Sequence, residues 1–566
     1  MMRISISSKI LITTLLFFIS SYLLLAEGKP AVSKNGMVVT ASPPATDVGA
    51  MILNRGGNAI DAAVAAGFAM AVTYPTAGNI GGGGFMVIHT AGGKSTTLDF
   101  RETAPLAAFE TMYLDSAGNY DPKNSQLGWR SAGVPGTVHG FITALEKYGT
   151  MTLAEVIQPA IDLAEKGFVL TKDMAESINY YHDEYLNYEP SAKIFTKEGN
   201  KYSEGDLFVQ KDLAKTLNYI KENGIEGFYK KEIAAKFIEE SDKYGGIFTL
   251  KDFEIYRTIE REPVAGTYRG HKIISMGPPS SGGVCLIQSL NTLENFSLDS
   301  LTFQSGRYYH LLTETLKRVY ADRSVHLGDP DFYPVPVEFL TSKKYGANIA
   351  NSILENALPS ELIAPSKLKY HESEETTHYS VADKYGNAVS TTYTLNSAYG
   401  NRMVVDGLGF LLNNEMDDFS SKPGAPNQYG LIGSYANSIQ PRKRMLSSMT
   451  PTIVLKEGKP FMVIGSPGGS TIITQVLQVI INVIDFKMNI YEAIESPRIH
   501  HQWLPDEIYY EKGSISEEVK EILTVKGHKF GTLKSLGRME GIIIDADKNT
   551  FYGASDPRAF GKASGE

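Results

Sequence analysis

A layered α+β fold, antiparallel sheet covered by helices, is what this sequence predicts, and three observations point there. Short apolar runs recur in pairs across polar turns. The stretches 59–72 and 470–485 are apolar enough to form helices that cover sheet faces. The region from about 135 to 260 reads as helices joined by polar loops. Strand order does not follow from the sequence.

The paired runs are specific. Residues 85–88 answer 96–100 across Gly92-Gly93, and 378–382 answer 388–394 across Asp383-Lys384-Tyr385-Gly386-Asn387. Residues 453–455 answer 461–464 across Lys456-Glu457-Gly458-Lys459, and 542–544 answer 550–552 across Ala546-Asp547-Lys548-Asn549. Each is a hairpin signal. Ala59, Ile60, Ala62, Ala63, Val64, Ala66 and Met70 predict a helix packed closely on both sides, with Asn58 as its cap. Leu153–Lys166 and 210–223 are typical of the middle helices. Residues 359–375, PSELIAPSKLKYHESEE, read as a flexible, charged tail running abruptly into a strand, where a chain break is tolerated.

At the start of the chain, Arg3 and Lys9 precede an uncharged, mostly apolar run at 10–25, with Ala26 before polar sequence. That is the layout of a secretory signal peptide over 1–26, so a periplasmic or secreted protein is expected, with an uncleaved membrane anchor as the rival. No cysteine follows the run, which excludes a lipoprotein anchor. Cys285 is the single cysteine, so neither an intramolecular disulfide nor a thiolate metal cluster can form. It leads an apolar run and is expected to be a buried packing residue. A formal charge of −9, without a Lys/Arg block, argues against a nucleic-acid surface.

Candidate chemistry gathers in the second half. If the Glu375–Thr376 bond breaks, Thr376 carries a hydroxyl nucleophile and a free α-amine in one unit. Such an amine titrates near pH 7.7–8 and serves as base without a histidine. From Thr376-Thr377-His378-Tyr379-Ser380 alone, a plain β-prone strand is the better reading. Gly465-Ser466-Pro467-Gly468-Gly469-Ser470 lies between a strand and an apolar helix, where unpaired backbone N–H groups can stabilise an oxyanion; a tight packing turn is the other reading. Asn413-Asn414-Glu415-Met416-Asp417-Asp418 suits a cation or a substrate ammonium, Ser447-Ser448 suits a carboxylate or a cap, and Arg101 suits a carboxylate or simply Glu102. His500-His501 on a strand point to opposite faces, which disfavours joint metal ligation. The Trp503 segment is expected to pack rather than touch a ligand.

Together these segments closely resemble the γ-glutamyltransferase family. The resemblance rests on Thr376-Thr377-His378-Tyr379, Tyr393-Thr394-Leu395-Asn396, Asn413-Asn414-Glu415-Met416-Asp417-Asp418, Leu446-Ser447-Ser448-Met449, Ser466-Pro467-Gly468-Gly469 and Trp503-Leu504-Pro505-Asp506-Glu507. Earlier in the chain it rests on Gly56-Gly57-Asn58-Ala59-Ile60-Asp61, Asn79-Ile80-Gly81-Gly82-Gly83-Gly84, Asp99-Phe100-Arg101-Glu102 and Pro278-Pro279-Ser280-Ser281-Gly282-Gly283. It spans essentially the whole chain after the signal.

The resemblance implies an N-terminal-nucleophile hydrolase, a four-layer αββα sandwich of antiparallel sheets. It implies a large subunit (27–375, with the 359–375 tail) and a small catalytic subunit (376–566) made from one precursor by self-cleavage between Glu375 and Thr376. Thr376 would be the nucleophile, Thr394 its hydrogen-bonding partner, and Gly468 and Gly469 the oxyanion hole. Arg101, Ser447 and Ser448 would hold a substrate α-carboxylate; Asn396, Glu415 and Asp418 its α-amino group. Tyr429, within a lid-like segment 421–444, would cover the substrate. Many relatives have Pro where this chain has Met445 and Arg where it has Thr471, differences that border the pocket.

The expected activity is transfer of γ-glutamyl groups, from glutathione or related compounds, to water or to amino acid or dipeptide acceptors. No metal and no organic cofactor is expected, and the two subunits would stay associated as a heterodimer. The alternatives are an acylase of the same fold acting on β-lactam side chains or poly-γ-glutamate, and a non-catalytic exported binding protein.

Overall fold

The computed structural model describes residues 28–363, 376–422 and 433–565. The signal segment 1–26, most of the 359–375 tail including Glu375, and Tyr429 lie outside the described residues.

Two seven-stranded antiparallel sheets form the centre. One runs Ala31–Ser33, Thr550–Ser555, Glu540–Asp545, Lys459–Gly465, Thr452–Lys456, His271–Ser275, Val264–Tyr268. The other runs Lys562–Ser564, Gly36–Thr40, Thr377–Asp383, Ala388–Thr394, Gly83–His89, Ser95–Phe100, Ile259–Arg261. All four hairpins read from the sequence are present, two in each sheet.

Strand side chains alternate faces, and here both faces are buried. In Gly83–His89, Met86 and Ile88 pack with helix Ala59–Thr73, while Phe85 and Val87 pack toward the other sheet. The first sheet in turn packs on helices Gly282–Leu293 and Ile472–Ile484. Helix, sheet, sheet, helix is therefore the order of layers, the four-layer αββα sandwich.

Helix Ala59–Thr73 is buried along its whole length, which its small residues permit. Asn58 Oδ1 accepts from the amides of Ile60 (2.9 Å) and Asp61 (3.0 Å), and Asp61 accepts in return from the Asn58 amide (2.8 Å). Caps of this kind are worth about 1 kcal/mol. Cys285 is buried within helix Gly282–Leu293, and burial pushes its thiol pKa up to about 12, so it packs rather than reacts.

The start of the segment expected to be a flexible tail is held in place. Ser360 is buried: its hydroxyl donates to Asp506 Oδ1 (2.7 Å), and its carbonyl accepts from Trp503 Nε1 (2.9 Å). Trp503 thus packs, as expected, and what it packs against is the start of that segment. His500 and His501 take separate partners, Thr474 and Gln502 for the first, Asp506 for the second.

The second sheet interleaves strands from both sides of residue 376: Thr377–Asp383 lies between Gly36–Thr40 and Ala388–Thr394, and Gly83–His89 comes next. No plane through the sheet separates the two halves of the chain.

Candidate active site

Strand register assembles the candidate reaction centre. Thr377 pairs with Tyr393, so one step further the same register sets Thr376 opposite Thr394. Thr394 pairs with Gly83, and the pairing of Gly84 with Phe100 sets Gly83 opposite Arg101. Thr376, Thr394, Gly83 and Arg101 are therefore one row at the end of four neighbouring strands. Glycine is required in that row: a Cβ on Gly83 would lie 2.5 Å from the Phe100 carbonyl oxygen and 2.7 Å from Glu102 Oε2. The glycine-rich loop before it holds Thr394 in place, because Asn79 Nδ2 donates to the Thr394 carbonyl (2.8 Å) while Asn79 Oδ1 accepts from Gly82 N (2.9 Å). The Thr394 hydroxyl accepts from the Asn396 amide (2.8 Å), with Asn396 in the left-handed region at φ 76°.

The other sheet supplies the glycine turn. Strand Lys459–Gly465 ends, the chain turns through Gly468 and Gly469 at φ 130° and 51°, and helix Ile472–Ile484 follows. Among the described residues, neither glycine amide donates to a backbone acceptor outside the turn. A Cβ on Gly468 would stand 2.6 Å from both Gln475 Nε2 and Thr471 Oγ1, so glycine is required twice over, by φ and by space. Thr471 braces this turn: its hydroxyl donates to the Gly468 carbonyl (2.7 Å) and accepts from Gln475 Nε2 (2.6 Å).

Thr376, Thr394, Asn396, Gly469 and the serine pair Ser447-Ser448 line one cleft of about 310 Å³, together with Arg101 and Asp418. Gly468 adjoins it through the turn. A larger cleft of about 1110 Å³, walled by Pro43, Phe168, Met174 and Phe560, contains none of the expected site residues.

Charge is concentrated beside the row of threonines. Arg101 is 1% exposed and meets Glu415 Oε2 at 2.6 Å, Asp418 through Nη2, and Glu102 only at 3.7 Å. The expected pairing with Glu102 is thus the most distant contact, and Glu415 and Asp418, expected only as a cation or ammonium site, are the partners Arg101 has. Burial pushes the Glu102 carboxyl up to about 8 and Glu415 well above the usual carboxylate range, and it pushes Asp418 up to about 6; Arg101 opposes all three shifts. Three carboxylates around one guanidinium exceed its charge, so protons stay on part of the set near neutral pH.

The acidic segment divides by geometry. Glu415–Asp418 is a 3₁₀ turn, in which positions i and i+3 eclipse, so Glu415 and Asp418 share the side facing Arg101. Asp417 faces away and accepts from Ser125 Oγ (2.5 Å) and Tyr120 Oη (2.9 Å). Asn413 bonds Gly81 O and Gly133 O, and Asn414 bonds Ser397. Those three residues hold the surrounding segments rather than face the cleft.

Ser447 and Ser448 are gripped from below by the Pro278-Pro279-Ser280-Ser281 segment. Ser447 N donates to Pro279 O (2.9 Å), Ser281 N and Oγ both donate to Ser447 O (2.8 and 2.7 Å), and Ser280 Oγ donates to Met449 O (2.6 Å). Met445 is buried, and its carbonyl accepts from Arg101 Nε at 3.4 Å.

Sequence reasoning missed Arg323, which also lines the cleft. The signal was available. Tyr308, Leu312, Leu316 and Val319 follow helical spacing on the buried face of Gly306–His326, and Arg323 continues that face. A charge at a core position marks a site to inspect.

Comparison with known proteins agrees with this architecture. The family model for gamma-glutamyltranspeptidase matches residues 45–566. The glutathione hydrolase proenzyme of Escherichia coli K12 is 50% identical over 532 residues, covering 94% of this chain and 91% of the relative. Among solved structures, a cephalosporin acylase from Bacillus halodurans superposes with a TM-score of 0.85 at 27% identity, covering 96% of this chain and 98% of that one. A gamma-glutamyltranspeptidase chain from Helicobacter pylori is 50% identical with a TM-score of 0.56, covering 58% of this chain and 95% of that one.

Proposed function

The chain belongs to the gamma-glutamyltranspeptidase family, and on that premise we propose that it cleaves itself before Thr376 and acts as a γ-glutamyltransferase and glutathione hydrolase. The observation that carries the reading is the row Thr376, Thr394, Gly83, Arg101, in one cleft with Gly469 and Ser447-Ser448.

In maturation, Thr376 Oγ attacks the Glu375 carbonyl, the peptide bond breaks to free the α-amine and leave an ester, and water opens the ester to free the hydroxyl and the Glu375 carboxylate. In catalysis that amine takes the hydroxyl proton as Oγ attacks the γ-glutamyl carbonyl. The amides of Gly468 and Gly469 stabilise the oxyanion, and the proton passes to the departing amine. The leaving group from glutathione is cysteinylglycine. Water, or the amine of an amino acid or dipeptide, then attacks the Thr376 ester and releases the γ-glutamyl group. Thr394 tunes the nucleophile. Arg101, Ser447 and Ser448 hold the α-carboxylate, and Asn396, Glu415 and Asp418 hold the α-ammonium. Interleaving of strands from both halves supports a large and a small subunit that stay together after the cut.

Expression of wild type and Thr376→Ala, followed by gel analysis and a γ-glutamyl-anilide assay, tests this. Wild type runs as two pieces broken between Glu375 and Thr376; the variant stays whole and inactive. A cleaved, active variant sinks the mechanism. The likeness to a cephalosporin acylase makes acylase activity the second reading. Rates on glutathione, a cephalosporin side chain and poly-γ-glutamate, compared on one preparation, separate the two. The basic start and apolar run at 10–25 support export to the periplasm or beyond. N-terminal sequencing of the exported large piece checks it, and a start at Met1 contradicts removal of the signal.

A further inference from the structure

Two arginines border the cleft, and their surroundings differ. Arg101 is engaged by Glu415 and Asp418. Arg323, near the end of helix Gly306–His326, is 4% exposed, and no described carboxylate lies within ion-pair distance of it. Its guanidinium instead donates to two hydroxyls, from Nε to Ser281 Oγ (2.9 Å) and from Nη2 to Ser448 Oγ (3.0 Å). Burial lowers the pKa of this guanidinium, with Asp418 among the groups pulling the other way, as befits a cation short of counter-charge.

Direction of donation decides what the two serines do. A guanidinium has donors only, so both hydroxyl oxygens accept from it and each hydroxyl hydrogen must point elsewhere. Ser281 sends its hydrogen to the Ser447 carbonyl at 2.7 Å, which fixes the backbone of the serine pair. The Ser448 hydrogen has no acceptor among the described residues, and Ser448 lines the cleft. Arg323 thus sets Ser448 as a donor facing the cleft, holds Ser447 in place through Ser281, and leaves its own charge unanswered.

We propose that Arg323 is a positioning and specificity-determining residue for the substrate α-carboxylate, which supplies the missing negative charge through Ser448; this rests on the γ-glutamyl reading of the cleft. An amino-acid head group then matches the cleft by charge. Its carboxylate faces Ser448, with Arg101 and Arg323 as the flanking charges, and its ammonium faces Asp418, with Glu415 behind. A ligand lacking the α-carboxylate leaves the Arg323 charge as it stands in the empty cleft and gains nothing from it.

The test uses the mature wild-type enzyme and Arg323→Gln, Arg323→Lys and Ser281→Ala, with L-glutamate and 4-aminobutyrate as competitors of γ-glutamyl-anilide turnover. The two competitors differ only in the α-carboxylate. Arg323→Gln is expected to raise the inhibition constant of L-glutamate, and the KM of the donor, by about 10–100-fold. The 4-aminobutyrate constant should move by no more than about twofold. Arg323→Lys keeps the charge but lacks the planar fork whose separate nitrogens reach the two serines, so it falls between. Ser281→Ala, which also serves if Arg323→Gln does not mature, weakens L-glutamate selectively and less. Equal weakening of both competitors, or no change in either, overturns the proposal. If wild type itself binds both equally, the γ-glutamyl reading of the cleft fails, which is a different result from selectivity that survives in Arg323→Gln.

Discussion

The reaction row and the charged cluster are neighbours built in opposite ways. Thr376, Thr394 and the Gly468-Gly469 turn are placed by backbone: strand register for the threonines, positive φ for the glycines. The charged cluster depends on side chains reaching across segments: Glu415 and Asp418 turn onto Arg101, and Arg323 reaches from its helix to Ser448. Damage to the first region should therefore appear in kcat, because its geometry matters only where charge develops. Damage to the second should appear in KM and in pH dependence.

The largest effect expected of that contrast is at the turn. Gly468→Ala would push a methyl against Gln475 and Thr471 at φ 130° and tilt the amides. We expect kcat to fall by about 10²–10³-fold with little change in KM, the usual loss for an oxyanion donor. Steady-state kinetics on γ-glutamyl-anilide measure it, and a change confined to KM would erase the distinction between the regions.

Asp418→Asn comes next, with the opposite signature: KM rises by about 10–100-fold, the worth of a charge-assisted bond to an ammonium, and kcat moves less. The pH profile then sharpens the comparison. Burial, against the pull of Arg101, raises Asp418 to about 6, so below that pH it takes up a proton and no longer answers the substrate ammonium. On the proposed mechanism the α-amine of Thr376 acts unprotonated, and free α-amines titrate near pH 7.7–8. Hence kcat/KM should climb up to about pH 8, steepest below about 6 where both groups limit it, and Asp418→Asn should lose the lower break alone. A wild-type profile flat from pH 5 to 8 would contradict both assignments.

The last prediction concerns stability rather than turnover. Glu102 has its pKa raised by burial from 4.5 to about 8, so the folded state holds this proton more tightly than the unfolded chain does. Its contribution is fully present below 4.5 and is lost as pH rises toward 8. Glu102→Gln cannot titrate, and it should gain on wild type across that window by up to about 1.4 kcal/mol per pH unit. Melting temperatures at pH 5 and pH 8 check this; a constant offset between the proteins would show that Glu102 does not titrate there.

The same contrast explains what the sequence made legible. Hairpins, the Asn58 cap and the glycine turn are local patterns, and local patterns survive reading one residue at a time. The cluster is non-local. Among three acids in Glu415-Met416-Asp417-Asp418, only the 3₁₀ turn decides that Glu415 and Asp418 face Arg101 while Asp417 serves Ser125. Residues 359–375 read as a solvated tail because nothing nearby reveals that Asp506 and Trp503, more than a hundred positions later, hold Ser360. Arg323 was hidden for a different reason, a cation on an apolar helix face with partners on two other segments. The Pro279-Ser280-Ser281 segment was recognisable as a motif, but its work, gripping Ser447 and Met449, belongs to the fold.

The central claim is that Thr376 is both the new N-terminus and the acylated group. Brief mixing of purified enzyme with a γ-glutamyl donor, acid quenching and peptide mass mapping address both parts in one measurement. The predicted result is a small-subunit peptide that begins at Thr376 and carries the γ-glutamyl mass. Active enzyme in which the peptide spanning Glu375 and Thr376 is intact, or in which the acyl group sits on any other residue, would contradict it.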